Sequence, residues 1–590
     1  MQIILCTLFI YGLFCISNNF YRKLHFERNI IIFSVFFTGF ISLIYLIISY
    51  SFLFNINTFF LSIIIAFFLI IYGFYKTLYS FLSVKNFVFK KFKIKKNHTS
   101  LLVLIILLLY YLSSFIPVSD VDSLRYHLEI PRLIKKGFFY ENYTLDYVTL
   151  GSNEFLNLFG LNLKFENTSS VINVIFLMII SYINYSFLKK EKTSNLNIKN
   201  LMILSSPYVF SVSTTQKIFI LPCFLVIYSL IYLIHQKSEI CYNSNKLIAF
   251  VLPFAISIKF IFAPICLIIY LYQIFLIKRF KNIFFITIIY VSSFILFALP
   301  ICIIKFRIFG EPFVPLYLID SANIEWFKNI KSYLTNYDNK LTFLNLIFLP
   351  VKFIYPIKLN YLDNNFINYF ATSEIFKLLG IGFLSILFLN NKKTKIYFIL
   401  SILFLSIIST GNIQIRWFLP ILMFVSFFYN YNNPFNTIFK FLIFLQSYFI
   451  SVGLVLLTFM SIYGNFINKD RILNQMSYGY KVSREIEKKY SDLKILTYNE
   501  GYFYHNNYVP LYKSKDLLLF DKKYYKNLLE SEKKFIFIYP NRLSTEKITE
   551  LIGMKNIKIR KIDMLNEFFS TRLFVFKHKA EIFIYEIELN

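Results

Sequence analysis

Long apolar runs dominate this chain and constrain its fold more than any other feature. Of its 590 residues, 57% are hydrophobic, which is more apolar surface than a soluble protein of this length needs to bury. A helix crosses the bilayer core with about 20 consecutive apolar residues. The sequence therefore predicts an α-helical polytopic membrane protein with about 11–14 spans. The runs lie near residues 2–20, 30–50, 57–75, 100–118, 170–188, 200–214, 218–234, 247–258, 260–277, 282–304, 377–390, 396–410, 417–430 and 437–463.

The Lys and Arg residues predict an orientation in the bilayer. The formal net charge is +30, but the cations are scattered between apolar runs, so no nucleic-acid partner is expected. If the N-terminus lies outside, nearly all short basic loops, such as 76–99, fall on the cytoplasmic side, as the positive-inside rule requires. The prediction is a multi-pass protein of the inner or plasma membrane whose long loops, 119–169 and 305–376, are extracytoplasmic.

Charge and apolar runs together divide the chain into three regions. Residues 1–99 hold extra N-terminal spans and a basic cytoplasmic loop, and residues 100–464 hold a membrane core. In residues 465–590 charges become frequent and apolar runs shorten, which predicts a small extracytoplasmic α/β domain. Its strands are predicted at 493–498, 534–539, 557–562 and 572–589, with a helix at 545–553.

The loop 119–169 carries the acidic residues that are the best candidates for catalysis. Asp120 and Asp122 stand where a span leaves the bilayer, and His127 and Glu154 follow. A carboxylate at the membrane surface can deprotonate an acceptor hydroxyl or amine, or hold a divalent cation. These four residues are the candidate catalytic groups. A cation such as Mg²⁺ or Mn²⁺ on Asp120 and Asp122 is the alternative use of that pair.

Each candidate also has a structural interpretation. Residues 123–130 look helical, and Asp is a favoured N-cap, so Asp122 can be a cap as well as a base. Glu154 can be a solvated loop acid. His127 stands next to Tyr126 on a short amphipathic segment, where a histidine often only packs or donates a hydrogen bond. Tyr126 itself is a candidate substrate contact.

Isolated cations at the predicted outer ends of apolar runs form a second signal. Lys217, Lys259 and Arg416 each stand alone at such an end, where an ionised side chain is costly and is usually paired or functional. Lys305 and Arg307 add to them at the start of the second long loop. Together they could hold a phosphate or pyrophosphate. The alternative is that each snorkels to lipid headgroups.

The order of these motifs resembles a known class of membrane enzymes. The motifs are D-x-D-S-L-x-Y-H-L-x-x-P at 120–131, the lone lysines, G-x-P-x-x-P at 310–315 and R-W-x-L-P at 416–420. In this order they resemble the GT-C class of glycosyltransferases, which includes protein O-mannosyltransferases and lipid A aminoarabinose transferases. The resemblance covers residues 101–464 as a pattern.

The resemblance implies a GT-C-like core and an activity. Such an enzyme moves a sugar, here with inversion, from a polyprenyl-phosphate donor to a lipid, glycan or protein acceptor outside the membrane. An acid of the first external loop serves as base or metal ligand, and basic residues bind the carrier phosphate. A transporter or flippase of lipid-linked glycans, a polysaccharide polymerase and a membrane scaffold are the alternatives. Three further spans precede the span that leads into the loop here, where the class usually has that one span alone.

Overall fold

The computed structural model of the chain is largely helical, with a sheet at its C-terminal end. It describes residues 2–24, 29–83, 98–120, 123–137, 150–190, 196–235, 242–277, 279–312, 379–388, 418–429, 436–477, 480–490, 493–497, 508–510, 534–539, 542–552, 557–570 and 577–589.

Six helices within the described residues are long and apolar enough to cross a membrane. The helices from the N-terminus to residue 309 are α1 Gln2–Lys23, α2 Ile30–Leu53, α3 Thr58–Ser83, α4 His98–Ser113, α5 Glu129–Lys136, α6 Ser152–Asn162, α7 Thr168–Lys190, α8 Leu196–Leu204, α9 Pro207–Val212, α10 Ile220–His235, α11 Tyr242–Ile258, α12 Ala263–Leu276 and α13 Phe280–Phe309. Those that follow are α14 Leu419–Phe428, α15 Asn436–Phe466, α16 Lys469–Met476, α17 Tyr480–Lys489 and α18 Thr545–Ile552. The prediction of a multi-span helical chain is confirmed at this level.

Side-chain bonds tie the helices together at two opposite ends of the bundle. At one end, the start of α7 bonds the loop before α10, and the start of α6 bonds the end of α11. At the other end, Asn184 near the end of α7 bonds Asn200 of α8, and Gln273 of α12 bonds Asn245 of α11. The first end joins the chain positions that the charge pattern assigns to the outside, and the second joins those assigned to the inside. We call them the outer and inner ends.

The helical backbone is interrupted within two apolar segments, 200–214 and 247–277. The run 200–214 consists of α8 and the short helix α9, separated by Ser205 and Ser206. Pro207 opens α9, where its missing N–H costs nothing. The predicted runs 247–258 and 260–277 are separate, as expected, and between them Lys259 has an extended backbone that precedes a 3₁₀ turn at Phe260–Phe262. Backbone that leaves the helix inside a membrane protein needs other partners for its polar groups. Gln446 of α15 donates to the carbonyl oxygen of Ser205 at 2.7 Å, whereas the break at Lys259 lies at the outer end.

The C-terminal sheet agrees with the predicted strands and extends them. Its strands are β1 Lys494–Thr497, β2 Tyr508–Pro510, β3 Lys534–Tyr539, β4 Ile557–Ser570 and β5 Lys577–Leu589, in the order β2-β1-β3-β5-β4. The strand β4 runs eight residues beyond the predicted 557–562, because it pairs with β5 along its whole length. The pairs β1–β2 and β1–β3 are parallel, and the other two are antiparallel.

Apolar side chains of the central strands point alternately to the two faces of this sheet, and helices pack on both faces. On one face, Phe535 and Phe537 of β3 pack with Ile548 of α18. On the other, Ile536 and Ile538 pack against α17. Because side chains alternate along a strand, the fully apolar segment F-I-F-I fills both cores, and the α/β character of this region is established.

Candidate functional site

The loop between α9 and α10 lies buried at the outer end and is held by amide side chains. Asn153 and Asn157 of α6 each donate from Nδ2 to the carbonyl oxygen of Gln216, at 3.2 Å. The N–H of Gln216 donates to Ser123 Oγ at 2.8 Å. The N–H of Ile218 donates to Asn153 Oδ1 at 2.9 Å. These bonds satisfy backbone groups that water cannot reach.

Asn173 of α7 completes the support of this loop. Its Nδ2 donates to the carbonyl oxygens of Val212 and Lys217, at 3.1 and 2.6 Å. Its Oδ1 accepts the N–H groups of Phe219 and Ile220, at 3.0 and 3.1 Å. The side chain therefore caps the first turn of α10 and fixes the backbone from which Lys217 projects.

A buried histidine–carboxylate pair lies beside this loop. His127 Nδ1 is 2.7 Å from Glu154 Oε1, and the two side chains are 3% and 1% exposed. The second carboxylate oxygen of Glu154 accepts the N–H of Gly151 at 2.7 Å. Asn157 Nδ2 donates to the carbonyl oxygen of His127 at 3.0 Å. Both members of the pair are thus held by the start of α6.

The partners of Glu154 assign the proton to the histidine. Asn153 Nδ2 lies 2.9 Å from Glu154 Oε1, so both oxygens of Glu154 already accept N–H donors. Asn153 Nδ2 also lies 2.9 Å from His127 Nδ1, but the shorter contact of 2.7 Å between Nδ1 and Glu154 Oε1 needs a proton between its two atoms. Because both oxygens of Glu154 accept other donors, we assign that proton to Nδ1, and Asn153 then gives its two hydrogens to Glu154 and Gln216. Glu154 thereby selects the tautomer with Nε2 unprotonated.

That Nε2 atom is buried and has no hydrogen-bond partner among the described residues. Burial lowers the pKa of His127, while the hydrogen bond and the charge of Glu154 oppose this effect. The positive charges of Lys259 and Lys217 lower the pKa of His127 further. The imidazole is therefore neutral at neutral pH, with a free lone pair on Nε2.

Three lysines from different parts of the chain gather around this pair. The charges of Lys217 and Lys259 act on His127, and the carboxylate of Glu154 acts electrostatically on Lys305. The side chain of Lys305 is 1% exposed. The half-buried Lys217 and Lys259 and the buried Lys305 therefore all act on this pair, and their ammonium groups make the region suited to an anion.

Two phenylalanine rings connect the three lysines. Lys259 Nζ lies 5.4 Å from the ring centre of Phe219, two residues after Lys217. Lys305 Nζ lies 4.8 Å from the ring of Phe260, which follows Lys259. A ring face attracts a cation, so each ring stabilises the ammonium group that lies over it.

Gly151 lets α6 approach the end of α11. A Cβ atom at this position would lie 2.5 Å from the carbonyl oxygen of Ile258 and 2.9 Å from that of Ser257. In the same contact, Ser257 Oγ donates to Ser152 Oγ at 3.2 Å. This approach brings Lys259, the residue after α11, next to the helix that carries Glu154.

The segment that follows Asp120 differs from the predicted helix. Residues Ser123–His127 form a π-helical turn, and α5 begins only at Glu129. Asp120 Oδ2 accepts the N–H of Ser123 at 3.1 Å, so Asp120 fills the capping role that the sequence suggested for Asp122. The half-buried carboxylate of Asp120 is thus already engaged at the start of the turn.

The remaining predicted site residues are placed as follows. Tyr126 is half-buried, with its ring 4.3 Å from that of His127. Arg307 is exposed near the end of α13, in contrast to the buried Lys305. Asp122 and Arg416 lie outside the described residues, and their roles stay predictions. Groups of three side chains suited to a metal ion do not occur within the described part of the chain.

Sequence reasoning missed the amide side chains that build the site. Asn153 and Asn157 are four residues apart, so they share one face of α6, and Asn173 lies within an apolar run. Polar residues inside membrane segments usually bond neighbouring helices, and this spacing was the available signal. In a chain rich in asparagine, however, these residues look like ordinary loop composition.

The comparisons with known proteins find one similarity, which covers slightly less than half of the chain. Residues 74–367 match the family model described as the DUF1420 N-terminal domain. The search of curated proteins gave no match. The matched segment contains every candidate site residue named above except Arg416, so the buried cluster at the outer end lies within the part of the chain that is similar to this family.

Proposed function

We propose that this protein is an integral membrane glycosyltransferase that moves a sugar from a polyprenyl-phosphate donor to an extracytoplasmic acceptor. The supporting observation is the group of three lysines, Lys217, Lys259 and Lys305, around the buried His127–Glu154 pair. A lipid-linked donor keeps its tail in the bilayer and its phosphate at the interface. A surplus of positive charge at helix ends suits that phosphate.

The arrangement also suits the chemistry of sugar transfer. When the bond from the sugar to the phosphate breaks, negative charge grows on the carrier phosphate. Fixed cations in a dry site stabilise that charge more than water does. A proton acceptor within the same cluster can take the proton of the incoming hydroxyl. The groups proposed for anion binding and for proton transfer thus lie at the same end of the bundle.

For the acceptor and the sugar, only the chemical class is proposed. The acceptor is a lipid, glycan or protein hydroxyl or amine on the outer side, and the sugar is a hexose or pentose. Asp120 and Asp122 are the loop acids that the resemblance to the GT-C class nominates as base or as ligands of a divalent cation. A transporter of lipid-linked glycans would use the same lysines without breaking the sugar–phosphate bond.

A transfer assay tests this proposal. The full chain is reconstituted in nanodiscs with radiolabelled polyprenyl-phosphate hexoses and pentoses and a set of lipid, glycan and peptide acceptors. Released polyprenyl phosphate and labelled product are measured. We expect product with at least one donor, and a drop of about tenfold or more in kcat/KM for the donor in Lys259→Met, from loss of a charge-assisted contact.

Lys246→Met is the matched control. Lys246 is also a half-buried lysine over a ring, 3.9 Å from the centre of Tyr242, but it lies at the inner end of α11. Its loss should leave kcat/KM unchanged. Movement of intact donor across proteoliposomes, without release of polyprenyl phosphate by any donor, would refute the transferase and favour the transporter.

A further inference from the structure

The histidine–carboxylate pair offers a proton acceptor that differs from the loop aspartates. We infer that His127 is the catalytic base of this protein and takes the acceptor's proton on Nε2, with Glu154 as the positioning residue. This inference rests on the proposed function. It concerns which atom of the cluster receives the proton during transfer.

Geometry favours His127 over Asp120. The carboxylate of Asp120 accepts the N–H of Ser123 and so has a structural role at the start of the π-helical turn. His127, in contrast, is fixed through Nδ1 and its carbonyl oxygen, while Nε2 is buried and unpartnered among the residues described. A buried acceptor without a partner is costly, and a substrate hydroxyl would supply the missing donor.

The charged groups that face His127 keep it neutral before the reaction. Glu154 faces it from α6, Lys217 from the loop before α10 and Lys259 from the end of α11. On its own segment, Asp120 caps the turn. In the adjoining α5, Glu129 is paired with Arg132. Burial and the two lysines lower the pKa of His127, which makes the unprotonated form the resting state.

The transfer step balances with these groups. The oxygen of the acceptor hydroxyl forms a bond to the anomeric carbon of the sugar, while its proton passes to His127 Nε2. The bond between that carbon and the phosphate oxygen breaks, and its electron pair leaves with polyprenyl phosphate. Glu154 stabilises the imidazolium that forms, as a carboxylate does in a Ser-His-Asp triad, and the lysines stabilise the phosphate.

A purely structural role for the pair is the alternative, and one substitution separates the two. In His127→Asn, an amide N–H replaces Nδ1–H toward Glu154, but no group replaces Nε2. If the pair only ties the loop to α6, His127→Asn should keep most of the activity. If Nε2 is the base, the variant should fold, bind polyprenyl phosphate and fail in transfer.

The experiment compares variants in the transfer assay, with polyprenyl-phosphate binding and thermal midpoint measured in parallel. We expect His127→Asn to lower kcat by about 10²–10⁴-fold, the usual worth of positioned proton transfer, with the Kd for polyprenyl phosphate within a few-fold of wild type. Asn162→Ala is the matched control, because Asn162 is a buried amide of α6 that bonds Ser62 instead. It should lower stability and leave kcat intact.

The outcomes distinguish this inference from the proposed function. If wild type transfers sugar and His127→Asn turns over at a similar rate, His127 is not the base. Loss of transfer in Asp122→Asn with His127→Asn unaffected would assign the base to the loop acid. If wild type transfers nothing from any donor, the proposed function itself fails.

Discussion

The two ends of the helix bundle use buried lysines in different ways. At the inner end, Lys199 is 5% exposed, and its Nζ donates to the carbonyl oxygen of Phe427 at 2.6 Å. At the outer end, Lys305 is 1% exposed, lies over a ring and interacts with the carboxylate of Glu154. The first cation closes a helix contact, whereas the second belongs to a cluster with other ionisable groups.

The surroundings of these lysines explain the difference. Polar residues near the inner end bond one another in small groups, such as Asn184 with Asn200 and Tyr228 and Asn197 with Thr99 and Ser100. At the outer end, amides from α6 and α7 converge on one loop and present Lys217 and His127 to a common region. Buried ionisable groups are expensive in a membrane protein and are usually functional, so the outer end is where chemistry is expected.

The largest expected effect comes from exchanging the two buried lysines for methionine. Lys305→Met removes a charge proposed to stabilise the carrier phosphate, and we expect kcat/KM for the donor to fall about hundredfold, as for loss of one stabilising donor. Lys199→Met leaves the carbonyl of Phe427 without its ammonium donor, which costs stability of about 1–3 kcal/mol. Transfer assays and thermal unfolding in nanodiscs measure both effects.

The two losses should be separable in those variants. Lys305→Met should keep its thermal midpoint, and Lys199→Met should keep kcat/KM per folded molecule. If both lysines affect stability alone, the contrast between the two ends is wrong and the outer cations are structural. Equal losses of transfer in both variants would point to the same error.

A smaller effect is expected at the contact between α6 and α11. Gly151→Ala forces Cβ against the carbonyl of Ile258, at 2.5 Å, and overpacking of this kind costs about 1–3 kcal/mol. Because α6 carries Glu154, transfer should fall roughly tenfold, about 1.4 kcal/mol of barrier. Gly39→Ala is the control, since Gly39 faces the same helix with its nearest atom, Val251 Cγ2, at 3.7 Å.

Thermal unfolding and transfer rates together decide this case. The Gly39 variant should lose neither stability nor activity. A Gly151 variant with wild-type stability and turnover would mean that α6 can shift without disturbing the His127–Glu154 pair. The outer end would then be more tolerant than its close packing suggests.

The sequence predicted the parts of this architecture that depend on local pattern. Apolar runs indicated the helices, short apolar segments indicated strands at 493–498 and 534–539, and alternation indicated the C-terminal strand within 572–589. Lone cations against the charge rule indicated Lys217 and Lys259, together with Arg416, which lies outside the described residues, and the start of the second long loop added Lys305. These signals are local because helix and strand periods, and the cost of a charge in lipid, act residue by residue.

What the sequence left open depends on packing between distant segments. His127 and Glu154 are 27 residues apart, and their contact exists because the π-helical turn and α6 meet against the loop before α10. The spacing of these residues in the sequence does not indicate that the two segments are in contact. The break at Ser205 and Ser206 was also missed, because serines in an apolar run are compatible with a continuous helix.

The smallest expected effect, and the sharpest test of the electrostatics at the outer end, is a pair of opposite pH shifts. If His127 must be unprotonated to accept a proton, kcat should rise with pH as the imidazole loses its proton. Glu154 acts to raise the pKa of His127, and Lys259 acts to lower it. Removing either charge should therefore move the acidic limb of the profile in the opposite direction from removing the other.

Glu154→Gln keeps the shape of the carboxylate and removes its charge, so the pKa of His127 falls further and the acidic limb moves to lower pH. Lys259→Met removes a nearby positive charge, so the limb moves to higher pH. Each shift should be on the order of one pH unit or less, equal to about 1.4 kcal/mol at most. Lys246→Met, at the inner end of α11, should leave the limb in place. Profiles of kcat against pH for the four proteins decide the matter, and shifts in the same direction for Glu154→Gln and Lys259→Met would show that the limb reports another group.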